Sequence, residues 1–126
     1  MKPTQYQIEI PDYGVFDVSP LGAGAEAEIR CLFRELDEAM ENTKKPEFKA
    51  LADREKAGEE IDKESQDYKD FIEAYKKGSE VIEKLRETVM EKMRNVIKGE
   101  NVEKLFNDFT YEQILEIHKK ATREND

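Results

Sequence analysis

The chain has no tryptophan, one cysteine and one histidine. With Cys31 alone, no internal disulfide is possible. The same scarcity leaves little material for a zinc site or an activated nucleophile, which need several ligands or a paired base. No apolar run comes near the roughly 18 residues of a membrane span. Met1-Lys2-Pro3-Thr4 leads into no apolar stretch, so no signal peptide is expected, and the expected location is cytoplasmic. Apolar residues are 37% of the chain, few for a compact globule but more than a disordered chain carries.

Charge is abundant instead. Charged residues make up 40%, with 21 Lys plus Arg against 30 Asp plus Glu and a net charge of -9. An acidic balance of this size argues against binding nucleic acid or an anionic membrane, where a basic face must neutralise phosphates. The length of 126 residues fits a single domain over 1–126.

The predicted fold class is α+β, mainly α: an N-terminal β-hairpin and then helices, one of them long and heptad-patterned. Tyr6, Ile8 and Ile10 alternate with polar residues, and Phe16 and Val18 share one face of a return strand. Between them Pro11-Asp12-Tyr13-Gly14 is a turn, because Pro presets φ and Gly tolerates positive φ. Hairpin and turn occupy 1–21. A helix over 24–42 follows, with Ile29, Leu32, Phe33, Leu36 and Met40 on one stripe. Pro46 ends the connection and opens a short helix over 46–57 with Phe48, Leu51 and Ala52 on one side.

From 59 to 98 the pattern is helical. Ile61, Tyr68, Tyr75, Ile82, Val89 and Val96 recur every seven residues, with Ile72 and Met93 in the companion position. This is a coiled-coil-like seam. Gly78 is a point for a kink, but the heptad phase is the same on both sides of it. Such a helix would be about 60 Å long, and its exposed seam needs cover, most simply from another copy of the chain. The interface candidates are therefore Tyr6, Ile8, Ile10, Phe16, Val18, Tyr68, Ile72, Tyr75, Ile82 and Val89.

Gly99 reads as the residue closing that helix, and Asn101 as a cap for short C-terminal helices over 101–124. Thr110 and Gln113 fit a capping box, with Phe109 and Ile114 as a staple. Ile114, Leu115, His118 and Ala121 then share a face, and the residues from Arg123 are expected to fray.

Chemistry-bearing motifs are weak. Gly22-Ala23-Gly24-Ala25-Glu26-Ala27 has the spacing of a dinucleotide fingerprint. Its context is wrong: Pro20 and Leu21 separate it from the strand, no second parallel strand follows, and Glu26 and Glu28 stand where a pyrophosphate would sit. A flexible, close-packing turn is the reading. His118 lacks co-ligands on its face, and no carboxylate pair lies in a calcium-loop order. No catalytic, cofactor-binding or metal residue is assigned, and no enzyme or cofactor is expected.

Phe109-Thr110-Tyr111-Glu112-Gln113-Ile114-Leu115-Glu116-Ile117 resembles the end of the tail assembly chaperones of long-tailed (siphovirus-type) phages. Tyr13-Gly14-Val15-Phe16-Asp17-Val18, then Pro20-Leu21-Gly22, is similar in the same sense. The long heptad helix departs from that pattern. The resemblance implies a non-enzymatic protein of the host cytoplasm that self-associates and coats a long helical client, the tape-measure protein. It also implies a longer form made by frameshifting, for which Lys119-Lys120, Lys44-Lys45 and Lys76-Lys77 are equal candidates. The alternative is a structural or adaptor protein forming a permanent coiled-coil dimer.

Overall fold

The structure, a computed structural model, describes residues 6–123. The expectations for the first strand residue Gln5 and for fraying beyond Arg123 lie outside the described residues. Among these the order is β1 (Tyr6–Ile10), β2 (Gly14–Val18), α1 (Ala23–Thr43), α2 (Pro46–Lys56), α3 (Gln66–Val96), β3 (Ile97–Lys98), α4 (Val102–Asp108) and α5 (Tyr111–Arg123). The protein is mainly helical, with an N-terminal antiparallel hairpin and one long helix.

The hairpin turns where the sequence places its breaker. Tyr13 N–H donates to the Ile10 carbonyl at 3.0 Å, and Asp12 and Gly14 take positive φ of 72° and 101°. Tyr6 pairs with Val18 and Ile8 with Phe16, so the alternating apolar residues fall on one face. Gln7 and Asp17 pair on the other face, with a side-chain hydrogen bond of 3.1 Å.

A third strand was not predicted. Ile97-Lys98 leaves the end of α3 and pairs antiparallel with β2, Val18 opposite Ile97, and Ser19 N–H donates to the Val96 carbonyl at 2.8 Å. The helix therefore ends at Val96, not 98, because its next two residues satisfy β2's outer edge. Gly99 is not a helix cap. A Cβ there would stand 2.5 Å from Phe16 Cδ1, so glycine is required by packing.

The chain divides into two compact units where its length suggested a single domain. The first takes 1–29 and 86–126; the second is 30–85. In the first, the apolar face of the hairpin is covered: Phe16, Val18, Val89, Met93, Ile97, Leu105 and Ile114 are all buried to 1% exposure or less.

The second unit holds most of α1, all of α2 and the N-terminal part of α3. Leu32, Leu36, Ala39, Phe48, Leu51, Phe71, Val81 and Leu85 are its buried apolar residues. Phe33 is half-buried and Met40 is 50% exposed, so the predicted α1 stripe is narrower than drawn. Gly22 and Gly24, read as a close-packing turn, have open space where a Cβ would go.

The start of α3 is seven residues later than expected. Gly58, at φ 75°, ends α2, with Ala57, Gly58 and Glu59 N–H groups returning to the carbonyls of Asp53, Glu55 and Arg54. Arg54 then grips Glu59 at 3.2 Å and the Glu60 carbonyl at 3.1 Å. Asp62 Oδ1 accepts from Glu64 N–H, and Ser65 Oγ accepts from Tyr68 N–H at 3.2 Å. That hydroxyl is the N-cap that sets the helix start. From there α3 continues through Gly78 to Val96 without interruption, 31 residues and about 46 Å.

Candidate interaction surface

Periodicity gives α3 two interleaved seams in the second unit. The inner seam is Phe71, Ala74, Gly78, Val81 and Leu85, spaced alternately three and four residues. It carries the buried residues Phe71, Val81 and Leu85. The outer seam is Tyr68, Ile72, Tyr75, Ser79 and Ile82, with the same alternation in the neighbouring phase. Ile72, Tyr75 and Ile82 are 43%, 47% and 43% exposed. At 100° per residue the combined apolar arc spans about 180°, wider than the packing partners of one side cover.

Helix arithmetic also explains why the seam changes character along its length. A strict seven-residue repeat drifts about 20° per heptad on a straight α-helix. Tyr75 and Ile82 are exposed, whereas Val89, one heptad on, is fully buried. Each successive member has rotated toward the side that carries Val81 and Leu85.

The predicted interface residues therefore separate. Tyr6, Ile10, Phe16, Val18 and Val89 are buried among the chain's own residues and offer no surface, a correction to the expectation that the hairpin and the whole seam face a partner. The strand face is consumed because the hairpin must cover itself; two strands alone are marginal in water. Ile8 is half-buried. Tyr68 packs on the cluster of Phe48, Leu51 and Phe71, together with Ala52, Ile61 and Ala74. Ile72, Tyr75 and Ile82 remain on the surface.

Tyr75 is braced for display. Its ring lies 4.8 Å from that of Phe71, which meets Phe48 edge-on at 5.9 Å. Phe71 and Tyr75 line an open groove with Ala52, Glu55 and Lys56 of α2. An anchored aromatic beside a groove is a common interface element, since its ring packs while its hydroxyl stays wet.

The other candidates serve the fold. His118 is 7% exposed, and its Nε2 lies 2.9 Å from the Ser19 carbonyl. A carbonyl only accepts, so Nε2 carries the proton in the neutral ring. Burial pushes the imidazole below its ordinary 6.5, partly offset by the Ser19 hydrogen bond and Glu26. Cys31 is exposed. Asn101, expected as a cap, makes no capping bond. It donates from Nδ2 to the Tyr13 carbonyl at 2.7 Å. Tyr13 also donates to Asp108 at 2.8 Å, which holds the phenol above its ordinary 10.0, and stacks edge-on against Phe109 at 5.1 Å.

The capping box forms as drawn. Gln113 N–H donates to Thr110 Oγ1 at 3.2 Å, and Thr110 N–H to Gln113 Oε1 at 2.9 Å. Among the described residues no group of three or more His, Cys, Asp or Glu is placed to hold a metal ion, and no helix is long and apolar enough to cross a membrane. No family model, curated protein or solved structure matches the chain.

Proposed function

We propose that this is a non-enzymatic assembly chaperone of the phage-tail type, which self-associates and holds a long helical client such as a tape-measure protein. The observation that carries the reading is the outer seam: Ile72, Tyr75 and Ile82 stand exposed at heptad spacing on a helix that runs on without a break. Apolar side chains at that spacing suit a facing helix. The net charge of -9 keeps a complex with such an exposed stripe in solution. The capped segment Phe109–Ile117, which carries the resemblance, has the reciprocal Thr110–Gln113 bonds that such a helix start requires.

Light scattering over a range of concentrations, with and without a long heptad-patterned helical protein, tests the reading. Concentration-dependent association and a soluble mixed complex are expected, both weakened by Ile72→Glu with Ile82→Glu. A dimer that survives dilution and takes up no helical client would favour the alternative, a structural or adaptor coiled coil. The continuous 31-residue α3 would suit that role too. Gene order bears on the phage assignment, for which a tape-measure gene immediately downstream is the expected neighbour. The coding DNA bears on the frameshifted form: lysine codons unable to slip at Lys119-Lys120, Lys44-Lys45 and Lys76-Lys77 would remove it.

A further inference from the structure

We infer that the outer seam of α3 seats a second copy of this chain, antiparallel to the first about a two-fold axis near Ser79, with Lys76 of each copy facing Glu83 of the other. The inference rests on the self-association proposed above and gives it a geometry and a charge code.

Three observations converge on it. Ile72, Tyr75, Ser79 and Ile82 are spaced by three, four and three residues, the order of a two-helix seam. The small Ser79 lies between the exposed Tyr75 and Ile82, where an apolar knob from a facing helix finds room.

The second observation is Gly78, which no crowding among the described residues requires. Glycine in a helix interior costs about 1 kcal/mol relative to alanine. A Cβ at Gly78 would meet no atom within 4 Å, so internal crowding does not explain it. Gly78 belongs to the inner seam but borders Ser79 of the outer one, so the flank between the two seams is shallow midway along the exposed residues, where a second helix can approach closely.

The third is charge. Lys76 and Glu83 each directly follow a seam residue, Tyr75 and Ile82, and so stand on the same flank one heptad apart with opposite sign. An antiparallel partner sets this flank against its own copy running the other way, so the Lys76 end meets the Glu83 end twice. A parallel partner would set it against the inner seam, where the buried Phe71, Val81 and Leu85 already face their own core. Charge complementarity about a two-fold thus selects a second copy and selects its direction.

Charge reversal in the full-length chain, read by sedimentation, tests this. Lys76→Glu and Glu83→Lys should each weaken the dimer about tenfold, and the double variant should recover most of the loss. Circular dichroism shows whether each variant keeps its helix content. With Cys31→Ser as background, Ser79→Cys should form a disulfide-linked dimer. Gln66→Cys should not, because the two copies of that position would lie about 40 Å apart. A Gln66→Cys dimer, or single reversals that the double variant fails to rescue, would overturn the antiparallel seat while self-association stood. A chain that stays monomeric at every concentration would overturn both.

Discussion

The two compact units bury themselves to different depths. In the first, the sheet gives α3, α4 and α5 a flat apolar surface, and seven of its side chains are sealed to 1% exposure or less. In the second, Leu85 is the one apolar side chain sealed that far among the described residues; Phe48, Leu51 and Phe71 stop at 4%, 8% and 6%. Four of the five exposed large apolar residues, Met40, Ile72, Tyr75 and Ile82, belong to it as well. A sheet covered by helices closes a core, whereas three helices by themselves leave the flanks of their apolar arcs uncovered. The unit that looks less finished is the one with surface to offer.

The sharpest test of this contrast uses one substitution in two places. Leu105→Ala, from a site with no exposure, should cost about 3–5 kcal/mol, whereas Leu51→Ala at 8% exposure should cost about 2 kcal/mol. Chemical denaturation with a fit of midpoint and slope reads both. Equal losses would erase the distinction between a closed and an open core.

Gly99→Ala probes the closed core from its edge. The new methyl must displace Phe16, which is 1% exposed, and a loss of about 1–3 kcal/mol is expected. The same change at Gly78 meets open space and should stabilise the isolated helix. Equal tolerance of alanine at both would mean that Phe16 yields to a methyl at Gly99 without cost.

Acid should reach the closed unit through His118. Burial lowers its pKa when folded, so near and below the unfolded value of 6.5 the unfolded chain binds more protons than the folded one. Stability should therefore be intact above pH 6.5 and fall as pH drops through the lowered folded value. A His118→Gln variant should lose that part of the pH dependence in thermal melts from pH 7.5 to 5. An unchanged profile would show that carboxylates alone set it.

The smallest expected effect on stability is at the seam itself. Ile82→Lys, at a site 43% exposed, should shift folding by no more than about 0.5 kcal/mol while weakening self-association. A large drop in melting temperature would mean that Ile82 belongs to the core.

Local signals were legible in the sequence. The turn at Pro11–Gly14, the proline opening α2, the Thr110–Gln113 box and the heptad period of α3 each depend on residues within a few positions of one another. What was hidden depends on distant partners. Ile97-Lys98 reads as helix until β2 is there to pair with it. Gly99 reads as a cap until Phe16 is against it, and Asn101 as a cap until Tyr13 presents its carbonyl. The delayed start of α3 is a local signal too, but Gly58 and Ser65 stand among so many charges that the pattern reads as helical from 59. The candidate surface was half legible: the repeat identified Ile72, Tyr75 and Ile82, but periodicity alone does not say which of two adjacent phases the chain keeps for itself.

The hairpin tip carries a consequence for synthesis. Tyr13 is held by Asn101 and Asp108, 88 and 95 positions further on, and Ser19 by His118, 99 positions further on. At a ribosome adding about 5–20 residues per second, the first strands wait several seconds for these clamps to emerge. During that wait their greasy side is uncovered, so the opening segment is the part of a nascent chain that most needs shelter.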